Sequence, residues 1–344
     1  MIGSQNGSRG MIAAVCGTIA VCGLAAPALA QDLSDATVGE LIREMGSVKL
    51  WVLLILCGLI TLVLWLGDFL RPGSIQRSGL RDVSSLPSIL WILGGASVFL
   101  SLSMAVDFAA GLPWLAGPTE GSMRAIATSQ SVGYVIAGVL GISLIYLMIK
   151  SAPKAGLGFG SADLALGVLA FALAYPFLEL TASLMLAMHE GITGTQPAEI
   201  AHSTLSLIVD NQNSGWAWLL IFAVVMLVPI VEEVVFRGFL QSGLLKWTKA
   251  PIWSIVITSV VFAGLHWTPH AVMSDSTVVA LGQALPWVSQ VEGGTAPGAP
   301  YYALVPLFVL SLAIGLAYER TRKLGVAITM HAIFNGLNVA IALS

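Results

Sequence analysis

Residues 216–240 read WAWLLIFAVVMLVPIVEEVVFRGFL, and this stretch decides the fold. It is longer than the roughly 20 helical residues that cross a hydrocarbon core of about 30 Å. Its apolar residues run continuously instead of alternating, so the expectation is a spanning helix and not a barrel strand. Glu232, Glu233 and Arg237 are set into its second half. A charged residue at the centre of such a helix costs about 2.5–3.5 kcal/mol. It is tolerated where it meets another polar group or a cavity, which makes all three functional candidates.

Working outward, seven more apolar segments are long enough to span: 48–70, 86–108, 131–149, 162–188, 251–267, 301–318 and 324–343. The expected fold is an all-α polytopic bundle of about eight transmembrane helices. Composition agrees. The chain is 57% hydrophobic and only 10% charged, against roughly 25% charged in soluble domains. Most of its surface must therefore face a lipid bilayer. A net charge of −3 gives no reason to expect a nucleic-acid partner.

The N-terminus has the pattern of a cleaved signal peptide over residues 1–30. Arg9 supplies the positive region, 11–26 is apolar, and Ala28-Leu29-Ala30 precedes the polar Gln31-Asp32. Val15 and Val21 precede Cys16 and Cys22, where a lipoprotein site would need a small residue. Cleavage would leave the mature N-terminus outside. The first, third, fifth and seventh loops are then cytoplasmic, and they hold Arg71, Arg77, Arg81, Lys150, Lys154, Lys246, Lys249, Arg320, Arg322 and Lys323. The opposite side holds only Arg43, Lys49 and Arg124. Ten against three is the positive-inside bias of eight helices with both mature ends outside the cytoplasm. The chain is expected in a bacterial inner membrane. Two long outer loops, 189–215 and 268–300, contain no Lys or Arg.

Spacing separates the intramembrane groups. Glu233 and Arg237 are four apart and share a helix face, so they can pair. Glu232 points about 100° away, and its i+4 position is Phe236, which leaves it the freer carboxylate. Pro229 frees a backbone carbonyl one turn earlier and favours a kink. The next helix carries Phe262 and His266; the last carries His331 and Asn335, again four apart. An imidazole beside a carboxamide can bind a metal or a water, or supply donors to an oxyanion. Either group alone could simply bridge helices. By depth along its helix, His331 is expected nearer the cytoplasmic half than Glu232 and His266. Glu179, beside Tyr175 and Pro176, is a weaker candidate for the same cavity.

The ordered set Glu-Glu-x-x-x-Arg (Glu232, Glu233, Arg237), Phe-x-x-x-His (Phe262, His266) and His-x-x-x-Asn (His331, Asn335) resembles the CPBP family of intramembrane proteases. That family includes CAAX prenyl proteases and bacteriocin-processing and immunity proteins. The resemblance implies that residues 216–344 form the catalytic transmembrane region, with 31–215 an N-terminal transmembrane region of unassigned role. It implies that Glu232 activates water, that His266 assists, that His331 and Asn335 stabilise the oxyanion, and that Glu233 and Arg237 form a supporting pair with Phe262 nearby. The reaction would be hydrolysis of a peptide bond in a membrane-associated peptide or protein. The His-Glu-x-x-His signature of zinc peptidases is absent. Two histidines and a glutamate could still hold zinc with one position open for water, so metal dependence stays open beside direct activation by Glu232. Two other readings use the same residues: a non-catalytic binding or immunity protein, and a proton-coupled transporter. Against the transporter stands the lack of an inverted repeat or a matched pair of broken helices.

Overall fold

The computed structural model describes residues 35–77, 81–117, 122–194, 203–266 and 301–344. The expected signal peptide and the whole of the loop 268–300 lie outside these residues. The chain divides into two units, Met1–Trp51 and Val52–Ser344. The first is described only as the start of one helix.

Among the described residues eight principal helices follow in order: α1 Asp35–Leu66, α2 Ser88–Ala110, α3 Met123–Ser151, α4 Asp163–Thr193, α5 Gly215–Thr248, α6 Pro251–Leu265, α7 Tyr301–Thr321 and α8 Leu324–Ala342. No strand occurs among the described residues. The architecture is the expected all-α polytopic bundle, with one refinement. Seven helices are long and apolar enough to cross a membrane, whereas α6 has 15 residues. At 1.5 Å per residue it extends only about 22 Å, short of a full crossing. It ends where His266 stands.

Long apolar side chains on α1, from Val52 onward, and on α2 to α4 face outward, as lipid-facing helices require; Ile55, Ile92, Val139 and Leu164 are all exposed. The interior is made by α5, which packs against α2, α3, α6, α7 and α8. Small residues let it approach. A Cβ on Gly94 of α2 would come within 2.2 Å of the Phe239 ring, and one on Gly141 of α3 within 2.9 Å of Val234. Association in lipid lacks a hydrophobic drive between helices, so such close packing carries much of the stability.

One end of the bundle is tied by a buried polar network centred on Arg81, in the loop between α1 and α2. Its Nε and Nη2 donate to the two carboxylate oxygens of Glu319 at 3.0 and 2.6 Å. Its Nη1 donates to Ala155 O, Ser242 Oγ and Tyr318 Oη at 2.8–2.9 Å. Burial works against the guanidinium charge, but Tyr318 and Glu319 outweigh it and hold the Arg81 pKa above its ordinary value. The same end carries the Lys323–Asp163 pair at 2.9 Å, Lys246 donating to the carbonyls of Ser84 and Leu86, and Arg320 donating to Phe69 O and Ser74 Oγ. The first, third and seventh loops and the end of α5 beside the fifth therefore meet on one side. At the other end the Arg124 guanidinium lies over Trp216, 5.3 Å from the ring centroid, and His189 packs on Tyr302.

Candidate active site

The site begins with the irregular course of α5. Residues Ala223–Leu227 and Val234–Gln241 are π-helical, and they flank the α-helical turn Val228–Glu233 that contains Pro229. Proline cannot donate the hydrogen bond its position calls for, and π-bulges are a common way for a helix to absorb such a defect, frequently at functional sites. The kink expected at Pro229 is thus a double change of helical register around Glu232 and Glu233.

Glu233 and Arg237 form the ion pair that their spacing indicates, at 3.0 Å, and both are fully buried. Arg237 Nη2 also donates to Ser311 Oγ and O on α7 at 2.8 and 3.1 Å. Sequence reading left out a second partner of Glu233. His331 Nδ1 lies 2.8 Å from the same Glu233 oxygen. A carboxylate can only accept, so His331 Nδ1 carries a hydrogen and its Nε2 faces the other way. It faces Glu232, with Nε2 3.8 Å from Oε2. The expected difference in depth between the two residues is therefore not found; α8 brings His331 to the level of Glu232.

His266 is arranged in the same sense. Its Nδ1 donates to the carbonyl of Phe262 at 2.7 Å, and its Nε2 lies 4.0 Å from Glu232 Oε2. Phe262 spaces the cluster. Its ring is 4.6 Å from the His266 ring, 5.8 Å edge-on from that of His331 and 5.1 Å from the Arg237 guanidinium. Glu232 Oε2 is buried without a hydrogen-bond partner among the described residues. Two imidazole nitrogens thus converge on one unsatisfied carboxylate oxygen.

Asn335 takes a different direction. Its Nδ2 donates to the backbone carbonyl of Val224, in the first π-helical segment, at 2.8 Å. Glu179 accepts a hydrogen bond from Tyr175 on its own helix.

The set can be tested against zinc. Two Nε2 atoms and one carboxylate oxygen are donors that zinc accepts, but tetrahedral coordination at 2.0–2.1 Å would bring neighbouring donors to about 3.4 Å. The separations here are 3.8 and 4.0 Å, and no group of three His, Cys, Asp or Glu among the described residues is arranged to hold a metal ion. A water at about 2.8 Å from each group would set them about 4.6 Å apart, so the observed separations lie between the two arrangements.

Sequence reading also missed how far the polar stripe extends. Glu233, Arg237 and Gln241 are spaced by four on α5, and Ser311, Gly315 and Glu319 by four on α7. The two stripes interlock. Arg237 meets Ser311, while Gln241 Nε2 donates to Gly315 O at 3.3 Å and to Glu319 Oε1 at 2.9 Å. The spacing was the available signal.

Carboxylates and imidazoles thus converge inside a helical bundle built to cross a membrane. Residues 214–337 match the model of the family described as type II CAAX prenyl endopeptidase Rce1-like. The match spans 124 of the 344 residues, and over this region the chain is similar to that family of intramembrane proteases. No curated protein and no solved structure matches the chain.

Proposed function

We propose that the chain hydrolyses a peptide bond of a membrane-associated substrate with water activated by Glu232. The observation that carries this reading is the convergence of His331 Nε2 and His266 Nε2 on the unsatisfied Glu232 Oε2. A water held by these three groups transfers a proton to Glu232 as its oxygen adds to the peptide carbonyl carbon. His266, fixed by Phe262 O, orients the water. His331 in its imidazolium form, balanced by Glu233, presents Nε2–H to the oxyanion. Glu232 then returns the proton to the leaving amine. Glu233, Arg237 and Phe262 hold this array in place.

The side bearing the Arg81 network is the cytoplasmic one by its excess of basic residues, in what we take to be a bacterial inner membrane. The family's printed name concerns CAAX prenyl peptides, so a prenylated CAAX-type peptide carrying a quenched fluorophore is the first probe. With the protein reconstituted in liposomes, wild type should cleave it, or a comparable unprenylated membrane peptide. Glu232→Gln, His266→Ala and His331→Ala should each abolish cleavage while still inserting. Normal turnover by Glu232→Gln would sink the mechanism. Comparing membrane peptides retained by Glu232→Gln and by the active protein then identifies the natural substrate.

A further inference from the structure

The hydrogen bond from Asn335 to Val224 O is explained by the register of α5. Val228 N–H is donated to Ala223 O, five residues back. In that π register the donor due to Val224 O belongs to residue 229, which is proline and has none. In an α register the donor would be Val228 N–H, which is already used. Neither register supplies Val224 with a backbone partner. In hydrocarbon there is no water to take its place, so helices tolerate such a break where a neighbouring side chain satisfies the freed group. Asn335 Nδ2 does so at 2.8 Å. α8 comes close enough to make this contact, since a Cβ on Gly336 would sit 3.5 Å from Val225 Cγ1.

We propose that Asn335 is a positioning residue whose side-chain amide replaces the backbone N–H removed by Pro229, and so locks the helical register of α5 that presents Glu232. The residue lies one turn from His331 on α8, and Pro229 lies one turn before Glu232 on α5. Asn335–Val224 and His331–Glu233 are thus two tethers between the same helices, one before Glu232 in the chain and one directly after it. This assigns Asn335 to the backbone of α5, where the family resemblance assigns it to the oxyanion. The inference rests on the proteolytic reading only for its activity readout.

The test is a double-mutant cycle on the full chain in detergent, comparing wild type, Asn335→Ala, Pro229→Ala and the double variant. Two measurements are made: the thermal unfolding midpoint and cleavage of the prenylated fluorogenic peptide. Asn335→Ala should lower the midpoint and reduce cleavage by about 100-fold, the scale expected of a displacement of about 1 Å in a reacting group. Pro229→Ala should be mild. In the double variant residue 229 regains an N–H, and either helical register then satisfies Val224 O. Most of both losses should be recovered. If Asn335→Ala accumulates poorly, Asn335→Ser, a shorter donor, is run through the same cycle, with the same recovery expected. A double variant as impaired as Asn335→Ala, with no coupling in the unfolding midpoints, overturns the proposal. Coupled midpoints without cleavage by wild type would instead remove the proteolytic reading and leave the structural assignment standing.

Discussion

His331 Nδ1 and Glu233 Oε1 lie 2.8 Å apart, although 98 residues separate them in the chain. The contact makes Glu233 the shared acceptor of Arg237 and His331, and it turns the opposite nitrogen of His331 towards Glu232. Adjacent glutamates therefore have different partners. Glu233 Oε1 is shared by Arg237 and His331, whereas Glu232 Oε2 faces two imidazole nitrogens at 3.8 and 4.0 Å without a hydrogen bond among the described residues. Glu233 Oε2 also lacks a hydrogen bond there, and it has neither of those two contacts.

That difference predicts opposite behaviour on neutralisation. Glu233→Gln leaves the Arg237 guanidinium buried without its counter-charge, a loss of about 3–5 kcal/mol by analogy with other broken buried pairs. The expected result is a sharply lower unfolding midpoint in detergent together with lost cleavage. Glu232→Gln should keep a midpoint close to wild type and lose cleavage alone. Equal destabilisation by the two variants would contradict the division of roles.

The Arg81 network makes a second prediction, far from the chemistry. Arg81→Ala leaves Glu319 buried and uncompensated at the junction of several loops, again about 3–5 kcal/mol. Arg81→Lys should be intermediate, because an ammonium cannot reproduce the bidentate contact. Unfolding midpoints in the order wild type, Lys, Ala would bear this out. An unchanged Arg81→Ala protein would show that the network contributes nothing net.

Close packing of α2 on α5 gives a third. Gly94→Val introduces a Cβ within 2.2 Å of the buried Phe239 ring, and overpacking of this kind costs about 1–3 kcal/mol. Because Phe239 lies in the π-helical segment that follows Glu233, cleavage should fall along with stability. Gly94→Val combined with Phe239→Leu should recover part of both. Failure of the smaller ring-free residue to recover either would mean that the clash is not the cause.

Orientation gives the fourth. In a background with Cys16, Cys22 and Cys57 replaced, single cysteines at Asp82 and Lys249 should react with a membrane-impermeant thiol reagent only from the cytoplasmic side. A cysteine at Ser214 should react only from the outside. The reverse pattern would invert the proposed topology without altering the bundle.

What the sequence determined by itself was the membrane-spanning helical fold, the alternation of its loops and the list of polar residues the bilayer would not otherwise tolerate. Those follow from local quantities: the length of apolar runs, the cost of burying charge and the four-residue spacing that joins Glu233 to Arg237 within one turn. The tertiary structure decided how these residues are shared. Glu233 meets His331, Arg237 meets Ser311 and Asn335 meets Val224 O only because α7 and α8 pack against α5. Side chains on different helices have no fixed spacing in the chain, so no periodicity could reveal those partners. Nor could the sequence foretell the two π-helical segments, since Pro229 marks a defect without stating how the helix will absorb it or which neighbour will satisfy the carbonyl left over.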